Sequence, residues 1–114
     1  METIENKHKE HDYEVNIRFP EFTCLCPGTL LPDFAEITIN YIPDKLLVEL
    51  KSLKLYFNSF RNQEIFHEEA VNKILSDFVE NIRPKGVEVS GNFNVRGGIH
   101  TTVNASYPPP STDL

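Results

Sequence analysis

The spacing of apolar residues changes twice along this chain, and this change most constrains the fold. Four segments alternate between apolar and polar side chains, whereas one segment between them repeats apolar residues at helical spacing. Alternation predicts half-buried strands and the helical spacing predicts an amphipathic helix, so two pairs of strands should enclose a long helix. The alternating segments are residues 13–19, 34–42, 87–95 and 99–105, and the helical segment is residues 66–82.

A second, shorter helix is predicted just before the long one. Ser52 is a suitable N-cap, and Leu53, Tyr56 and Phe60 follow at helical spacing. The resulting order is ββααββ, which predicts an α+β domain with a four-stranded antiparallel sheet and both helices on one face. Pro20 is expected to break the first strand, because proline cannot donate to a strand ladder.

The other face of the predicted sheet is polar and carries small uncharged side chains. Such a face is either solvated in the ordinary way or enclosed with water inside an assembly. Both outer strands would have open edges, so oligomerisation by edge pairing is expected. The positions are Asn16, Thr38, Asn40, Ser90, Asn92, Asn94, Thr102 and Asn104.

The ends of the chain and its charge restrict where the protein acts. Residues 1–12 are polar and predict a flexible arm, residues 13–107 a single domain, and residues 108–114, which begin with three prolines, a tail. No apolar run approaches the roughly 20 residues of a membrane span, and the N-terminus has no apolar signal segment. A net charge of -6 gives no general attraction to nucleic acid. We therefore expect a cytoplasmic protein with neither membrane nor nucleic acid as a direct partner.

An anionic ligand must then meet a local group of cations. Lys51 and Lys54 share a face if the short helix forms, and Arg96 lies in the predicted Arg96-Gly97-Gly98 hairpin turn. The sequence contains no glycine-rich phosphate-binding loop, so a dinucleotide would be held by these side chains. The alternative is that the lysines only solvate a surface helix.

Cys26 and Asp33 lie in a loop that has a proline near each end. A thiol and a carboxylic acid that face one pocket suit covalent addition to an electrophile, because the thiolate attacks and the acid supplies a proton. Either residue alone is more often structural. In a reducing compartment Cys24 and Cys26 are expected to be free thiols or ligands rather than a disulfide.

Two further groups of residues could bind ligands. Glu68 lies in the first turn of the long helix, where the helix dipole favours a carboxylate, and it could also accept two hydrogen bonds from a guanine-like ring. His67 and His100 form a potential zinc set with the two cysteines, but the Cys-x-Cys spacing is narrower than zinc sites use. We expect no metal.

Four segments, taken in order, resemble one enzyme family: FTCLCPGTLLPDF, ELKSLKLYFNSFRN, FHE and RGG. They are similar to the NADPH-dependent nitrile reductases that convert 7-cyano-7-deazaguanine to 7-aminomethyl-7-deazaguanine on the route to the tRNA nucleoside queuosine, in their short single-domain form. The resemblance runs from about Phe22 to Gly98 and is most specific in residues 49–56. It implies the tunnelling fold, in which sheets from several subunits join into a barrel and sites form between subunits.

The resemblance also implies a role for each site residue. Cys26 is the nucleophile that forms a covalent thioimide with the nitrile carbon, and Asp33 donates a proton to the nitrile nitrogen. Cys26 is chosen over Cys24, where the family commonly has serine, because only Cys26 precedes a proline. Two hydride transfers from two NADPH molecules complete the reduction. The other roles are recognition of the base by Glu68 with His67 beside it, substrate contacts from Glu49, Leu50 and Ser52, and NADPH contacts from Lys51, Lys54 and Arg96.

Two rival functions remain at this point. A zinc-dependent GTP cyclohydrolase of the same fold would use cysteine and histidine ligands with water as the nucleophile, but that family pairs a cysteine with a histidine three residues on, and the sequence has no such pair. A non-catalytic oligomer that retains the purine pocket would bind the base without a covalent adduct at Cys26.

Overall fold

This computed structural model describes residues 1–110, which contain two helices and six strands. In chain order they are β1 (Thr3–Glu5), β2 (Val15–Leu25), β3 (Pro32–Ile42), β4 (Leu46–Val48), α1 (Leu50–Asn58), α2 (His67–Ile82), β5 (Gly86–Phe93) and β6 (Thr102–Tyr107).

The larger sheet has four antiparallel strands in the order β2-β3-β5-β6, so β2 and β6 form its edges. Both helices pack against one face, where alternate strand residues are buried with the apolar stripes of the helices. This arrangement confirms the predicted ββααββ architecture. α2 lies so close to β5 that a Cβ on Gly91 would be 2.6 Å from a methyl carbon of Val71, which leaves room only for glycine.

β2 is longer than the sequence predicts. Pro20 does not break it, and the strand continues to Leu25 after a shift of register within residues 19–22. The prediction was wrong because β2 is an edge strand, where a residue without an N–H is tolerated and a bulge absorbs the irregularity. The extension places Cys24 opposite Asp33 on β3 and leads directly into the loop that contains the second cysteine.

The N-terminal residues are held against the rest of the domain. β1 pairs with β4 in a small antiparallel sheet, and Asn6 is 1% exposed. The Asn6 side chain donates to the Asp44 carbonyl at 2.8 Å and accepts from the Tyr13 hydroxyl at 2.6 Å. The prediction of a flexible arm is therefore wrong for residues 3–6, because their order comes from pairing with a distant segment that composition does not reveal.

α1 begins earlier than predicted. Its N-cap is Glu49 rather than Ser52, and the helix ends before Phe60. The backbone of Glu49 is extended, which lets its carboxylate accept hydrogen bonds from the N–H groups of Lys51 and Ser52, both at 2.8 Å. An acidic side chain thus satisfies the free N–H groups of the first turn in place of the serine.

α2 and the hairpin between β5 and β6 agree with the sequence prediction. α2 starts within one residue of the predicted start and ends at Ile82, and its C-cap residue Arg83 adopts a left-handed conformation. Arg96 and Ile99 exchange backbone hydrogen bonds of 3.1 Å across the two glycines of the turn. β6 begins later than predicted, because residues 94–101 form the hairpin tip. Residues 108–110 are exposed, and residues 111–114 of the predicted tail lie outside the described residues.

Neither helix within residues 1–110 is long and apolar enough to cross a lipid bilayer.

Candidate active site

Half of the predicted site residues line one cavity of about 220 Å³. It lies where the end of β2, the start of β3, the start of α2 and the β5–β6 hairpin meet. These elements are far apart in sequence, so the order of the strands and the position of α2 bring them together. The predicted residues that line the cavity are Cys26, Asp33, His67, Glu68 and Arg96.

The loop after β2 holds Cys26 at this cavity. The Cys26 N–H donates to the Leu31 carbonyl at 2.8 Å, which closes the loop on itself. On the other side, Leu25 donates to the Gln63 carbonyl at 2.9 Å and accepts from the Ile65 N–H at 3.1 Å. The backbone around the thiol is therefore hydrogen-bonded both within its own loop and to the segment that precedes α2.

The two cysteines have different surroundings. Cys24 lies in the core and is 0% exposed. Burial, with smaller contributions from Asp33 and Cys26, raises the pKa of the Cys24 thiol to about 11. A buried thiol that stays protonated is a poor nucleophile, because the thiolate is the reactive form. Cys26 is partly exposed, and of the two thiols only that of Cys26 faces the cavity.

Asp33 is the buried acidic group of the cavity, with its side chain 7% exposed. Its Oδ2 atom lies 3.2 Å from Nε2 of His67, and its Oδ1 atom lies 3.1 Å from Nε of Arg96. Charge-assisted contacts of this kind offset the cost of burying a carboxylate. The carboxyl group is therefore held in one orientation with a partner on each oxygen.

The start of α2 supplies the next two residues. The His67 ring stacks on Phe93, with centroids 3.9 Å apart and an angle of 8° between the planes. This packing fixes the imidazole that contacts Asp33. Glu68 follows in the first turn, is exposed and lines the cavity beside the loop of Cys26. A carboxylate at this position gains from the partial positive charge of the helix N-terminus.

The other predicted site residues lie at the start of α1, away from this cavity. The two regions lie at opposite ends of β3. Asp33, at the cavity, is near the first residue of this strand, whereas Tyr41 is near its last and accepts a hydrogen bond from the N–H of Val48, just before α1, at 3.3 Å. At about 3.3 Å per strand residue, these two ends of β3 are roughly 25 Å apart. A separate apolar cavity of about 430 Å³ borders α1 there. The residues of this second group are Glu49, Leu50, Lys51, Ser52 and Lys54.

Some residues that line the cavity were not predicted. Phe66 is a large apolar side chain that is 60% exposed at the cavity wall. Its place directly before His67 in the FHE motif was a signal that could have identified it. Asn94 and Thr101 also line the cavity, and their strand alternation alone did not indicate this. Their position depends on how the hairpin folds over the start of β3.

The potential zinc ligands are dispersed. Among residues 1–110, no group of three or more His, Cys, Asp and Glu residues is arranged to hold a metal ion. Cys24 is in the core and Cys26 is at the cavity, whereas His100 contacts Asn92 beside the hairpin.

Comparison with known proteins identifies the family of this chain. The sequence profile of a family described as QueF-like protein matches residues 32–112. This chain belongs to the QueF-like family. A QueF-like relative from Thermomicrobium roseum is 53% identical over 107 residues, which cover 94% of this chain and 84% of that protein. A second, from Nitrosococcus oceani, is 51% identical over 113 residues and covers 99% of this chain and 88% of that protein. Both relatives are named NADPH-dependent 7-cyano-7-deazaguanine reductase.

A solved QueF-like structure shares the fold. The apo form of the archaeosine synthase QueF-Like aligns with a TM-score of 0.72 over 83% of this chain and 91% of that one. The sequence identity is 24%, so this likeness concerns the fold alone. It confirms the fold class that the sequence predicts.

Proposed function

We propose that this protein is an NADPH-dependent reductase that converts the nitrile of 7-cyano-7-deazaguanine to the aminomethyl group of 7-aminomethyl-7-deazaguanine, on the route to queuosine. The observation that carries this proposal is the shared cavity of Cys26, Asp33, His67 and Glu68. These residues supply a nucleophile, an acid with its orienting partner, and a carboxylate for the base. Relatives that are just over half identical and bear the name of this activity add support.

The first step is addition of Cys26 to the nitrile. The sulfur bonds to the nitrile carbon, one π bond of the triple bond breaks, and its electron pair goes to nitrogen. Asp33 gives that nitrogen a proton while the thiol loses one, so the net change is addition of S–H across the triple bond. His67, 3.2 Å from Asp33, orients the carboxyl group during this transfer. The product is a covalent thioimide.

Glu68 recognises the base. The guanine-like ring presents a ring N–H and an exocyclic amino group side by side, and one carboxylate can accept hydrogen bonds from both. Phe66, exposed next to it, offers an apolar surface to the ring. A carboxylate matched to two donors discriminates strongly against rings that lack them, because it is then left unpaired.

NADPH, when bound, supplies the hydrides for the two reduction steps. The task of this chain is to hold its phosphates, and Lys51, Lys54 and Arg96 are the residues suited to it. Both lysines are exposed on α1, and the Arg96 side chain is 43% exposed on the hairpin. Positive side chains that are accessible to solvent fit an anionic dinucleotide. Because the start of α1 and the hairpin lie at opposite ends of the sheet, cations from two chains would surround one cofactor.

A second copy of the chain would complete the site. The cavity of about 220 Å³ is smaller than the roughly 300–1,000 Å³ of ordinary ligand pockets. The edge strands β2 and β6 carry unpaired backbone groups, which allow sheets to join edge to edge into a barrel. In such a barrel the start of α1 from one copy would face the Cys26 cavity of its neighbour.

Intact-protein mass spectrometry tests this function against its rivals. After mixing with 7-cyano-7-deazaguanine and no cofactor, the chain should gain the mass of one substrate, and peptide mapping should place the adduct on Cys26. Addition of NADPH should then be followed by its oxidation, measured by absorbance. Stoichiometric zinc without an adduct would indicate a hydrolase, whereas base binding with neither adduct nor oxidation would indicate a non-catalytic binding protein.

A further inference from the structure

We propose that Arg96 gates Asp33 and releases it for proton transfer when a phosphate of the dinucleotide draws the guanidinium away, an inference that rests on the proposed function. Both oxygens of Asp33 are occupied, Oδ1 by Arg96 at 3.1 Å and Oδ2 by His67 at 3.2 Å. An acid that delivers a proton must turn a protonated oxygen toward the substrate. Departure of one of the two partners would free an oxygen of Asp33 to turn toward the substrate.

Arg96 is the partner that can leave. His67 is held by the backbone of α2 and by its stacking on Phe93 at a centroid distance of 3.9 Å. Arg96 lies at the hairpin tip beside two glycines, and its side chain is 43% exposed, compared with 24% for His67. Its other contact is with the backbone carbonyl of Pro32, which is a neutral acceptor. Solvent and ligands therefore reach the Arg96 side of the carboxyl group first.

A phosphate is the group best suited to draw Arg96 away from Asp33. The guanidinium presents parallel N–H donors that match phosphate oxygens, and a doubly charged phosphate attracts it more strongly than a carboxylate with a single charge. When Arg96 turns to the phosphate, Oδ1 of Asp33 loses its cationic partner and is free to deliver a proton to the nitrile nitrogen, while the Cys26 thiol loses one. The bond between Cys26 and the substrate then forms fastest when the reductant is already in place.

The rate of adduct formation tests the gate, with NADP⁺ as the probe because it carries the phosphates but no hydride to transfer. In the wild-type protein NADP⁺ should raise this rate roughly tenfold, the order of change expected when the ion pair between Arg96 and Asp33 is lost from the resting state. Arg96→Ala should form the adduct at the faster rate without NADP⁺ and should not respond to it. Arg61→Ala removes an exposed arginine that does not line the cavity and should behave like the wild type.

A second readout separates gating from general damage to the site. Arg96→Ala should also raise the KM for NADPH, so that one substitution speeds the first step and weakens cofactor binding. Arg96→Gln, which keeps a polar side chain without the charge, should show the same pair of effects if the alanine variant proves unstable.

Two results would overturn the gate. One is adduct formation in Arg96→Ala at or below the basal wild-type rate, and the other is a wild-type rate that does not depend on NADP⁺. Absence of an adduct under every condition would instead contradict the proposed function, so the two failures are distinguishable.

Discussion

The Cys26 cavity and the start of α1 hold equal shares of the predicted site, yet they are built differently. At the cavity, four elements of one chain converge, and the buried Asp33 has a partner on each carboxylate oxygen. At the start of α1, the carboxylate of Glu49 caps the helix, because it accepts hydrogen bonds from the N–H groups of Lys51 and Ser52. Only the first region is organised around a space that a ligand could fill next to a nucleophile.

This difference separates the bond-forming part of the proposed reaction from the ligand-holding part. Covalent addition needs a thiol and an acid held in a productive geometry, which one rigid chain provides best. Contacts to the outer parts of the substrate and to the cofactor phosphates can come from a neighbouring copy. The following predictions test whether the two regions divide the work in this way.

Removal of the nucleophile should have the largest effect. Cys26→Ala should abolish the adduct and lower kcat at least about a thousandfold, because no other group in the cavity can replace the thiol. Cys24→Ser should stay close to the wild type, since Cys24 is buried in the core away from the cavity. NADPH oxidation and intact mass measure both variants. Turnover that persists in Cys26→Ala and disappears in Cys24→Ser would reverse the assignment of the thiols.

Mixing two inactive variants should restore activity. Cys26→Ala disables the cavity and Glu49→Ala disables the start of α1, so a site built from two copies can combine the two intact halves. About a quarter of the sites in an equal mixture should then be intact, half of the cavities times half of the helix starts. If each site lay within one chain, every site would carry a lesion. Co-expression with two different tags and tandem purification gives the mixed oligomer, and no recovery in that oligomer would contradict the two-copy site.

Loss of the base-recognising carboxylate should weaken substrate binding. In a Cys26→Ala background, where binding is non-covalent, Glu68→Ala should lower the affinity for 7-cyano-7-deazaguanine roughly a hundredfold, because two donors of the ring lose their acceptor. Calorimetric titration measures the affinity. Glu69→Ala is the matched control, since Glu69 is in the same helical turn but borders a different groove. Equal affinities in the two variants would argue against the role of Glu68.

The smallest effect is expected on stability, at the start of α1. Glu49→Ala should lower the free energy of unfolding by about 1 kcal/mol, because two N–H groups of the first turn lose their cap. Glu49→Asp should retain most of the stability, since aspartate is itself a good N-cap. Urea unfolding measures both variants. An alanine variant as stable as the wild type would contradict the capping role, and an aspartate variant that is stable but binds substrate poorly would separate capping from recognition.

The sequence predicted the parts of the fold that depend on local pattern. Alternation identified the strands of the large sheet, helical spacing identified α2, and the two glycines after Arg96 identified the hairpin. The errors came from interactions between distant segments. β1 is ordered only because β4 pairs with it, and β2 passes through Pro20 because it lies at the edge of the sheet.

The same division holds for the candidate site. The sequence by itself determined which reactive groups the chain contains and, through its motifs, the family to which it belongs. Only the tertiary structure decided that Cys24 enters the core while Cys26 faces a cavity, and that Asp33 lies between His67 and Arg96. The physical reason is that periodicity encodes which side of a strand or helix is buried. The neighbours of each strand, and hence the distances between side chains from different elements, arise only when the whole chain buries its apolar surface together.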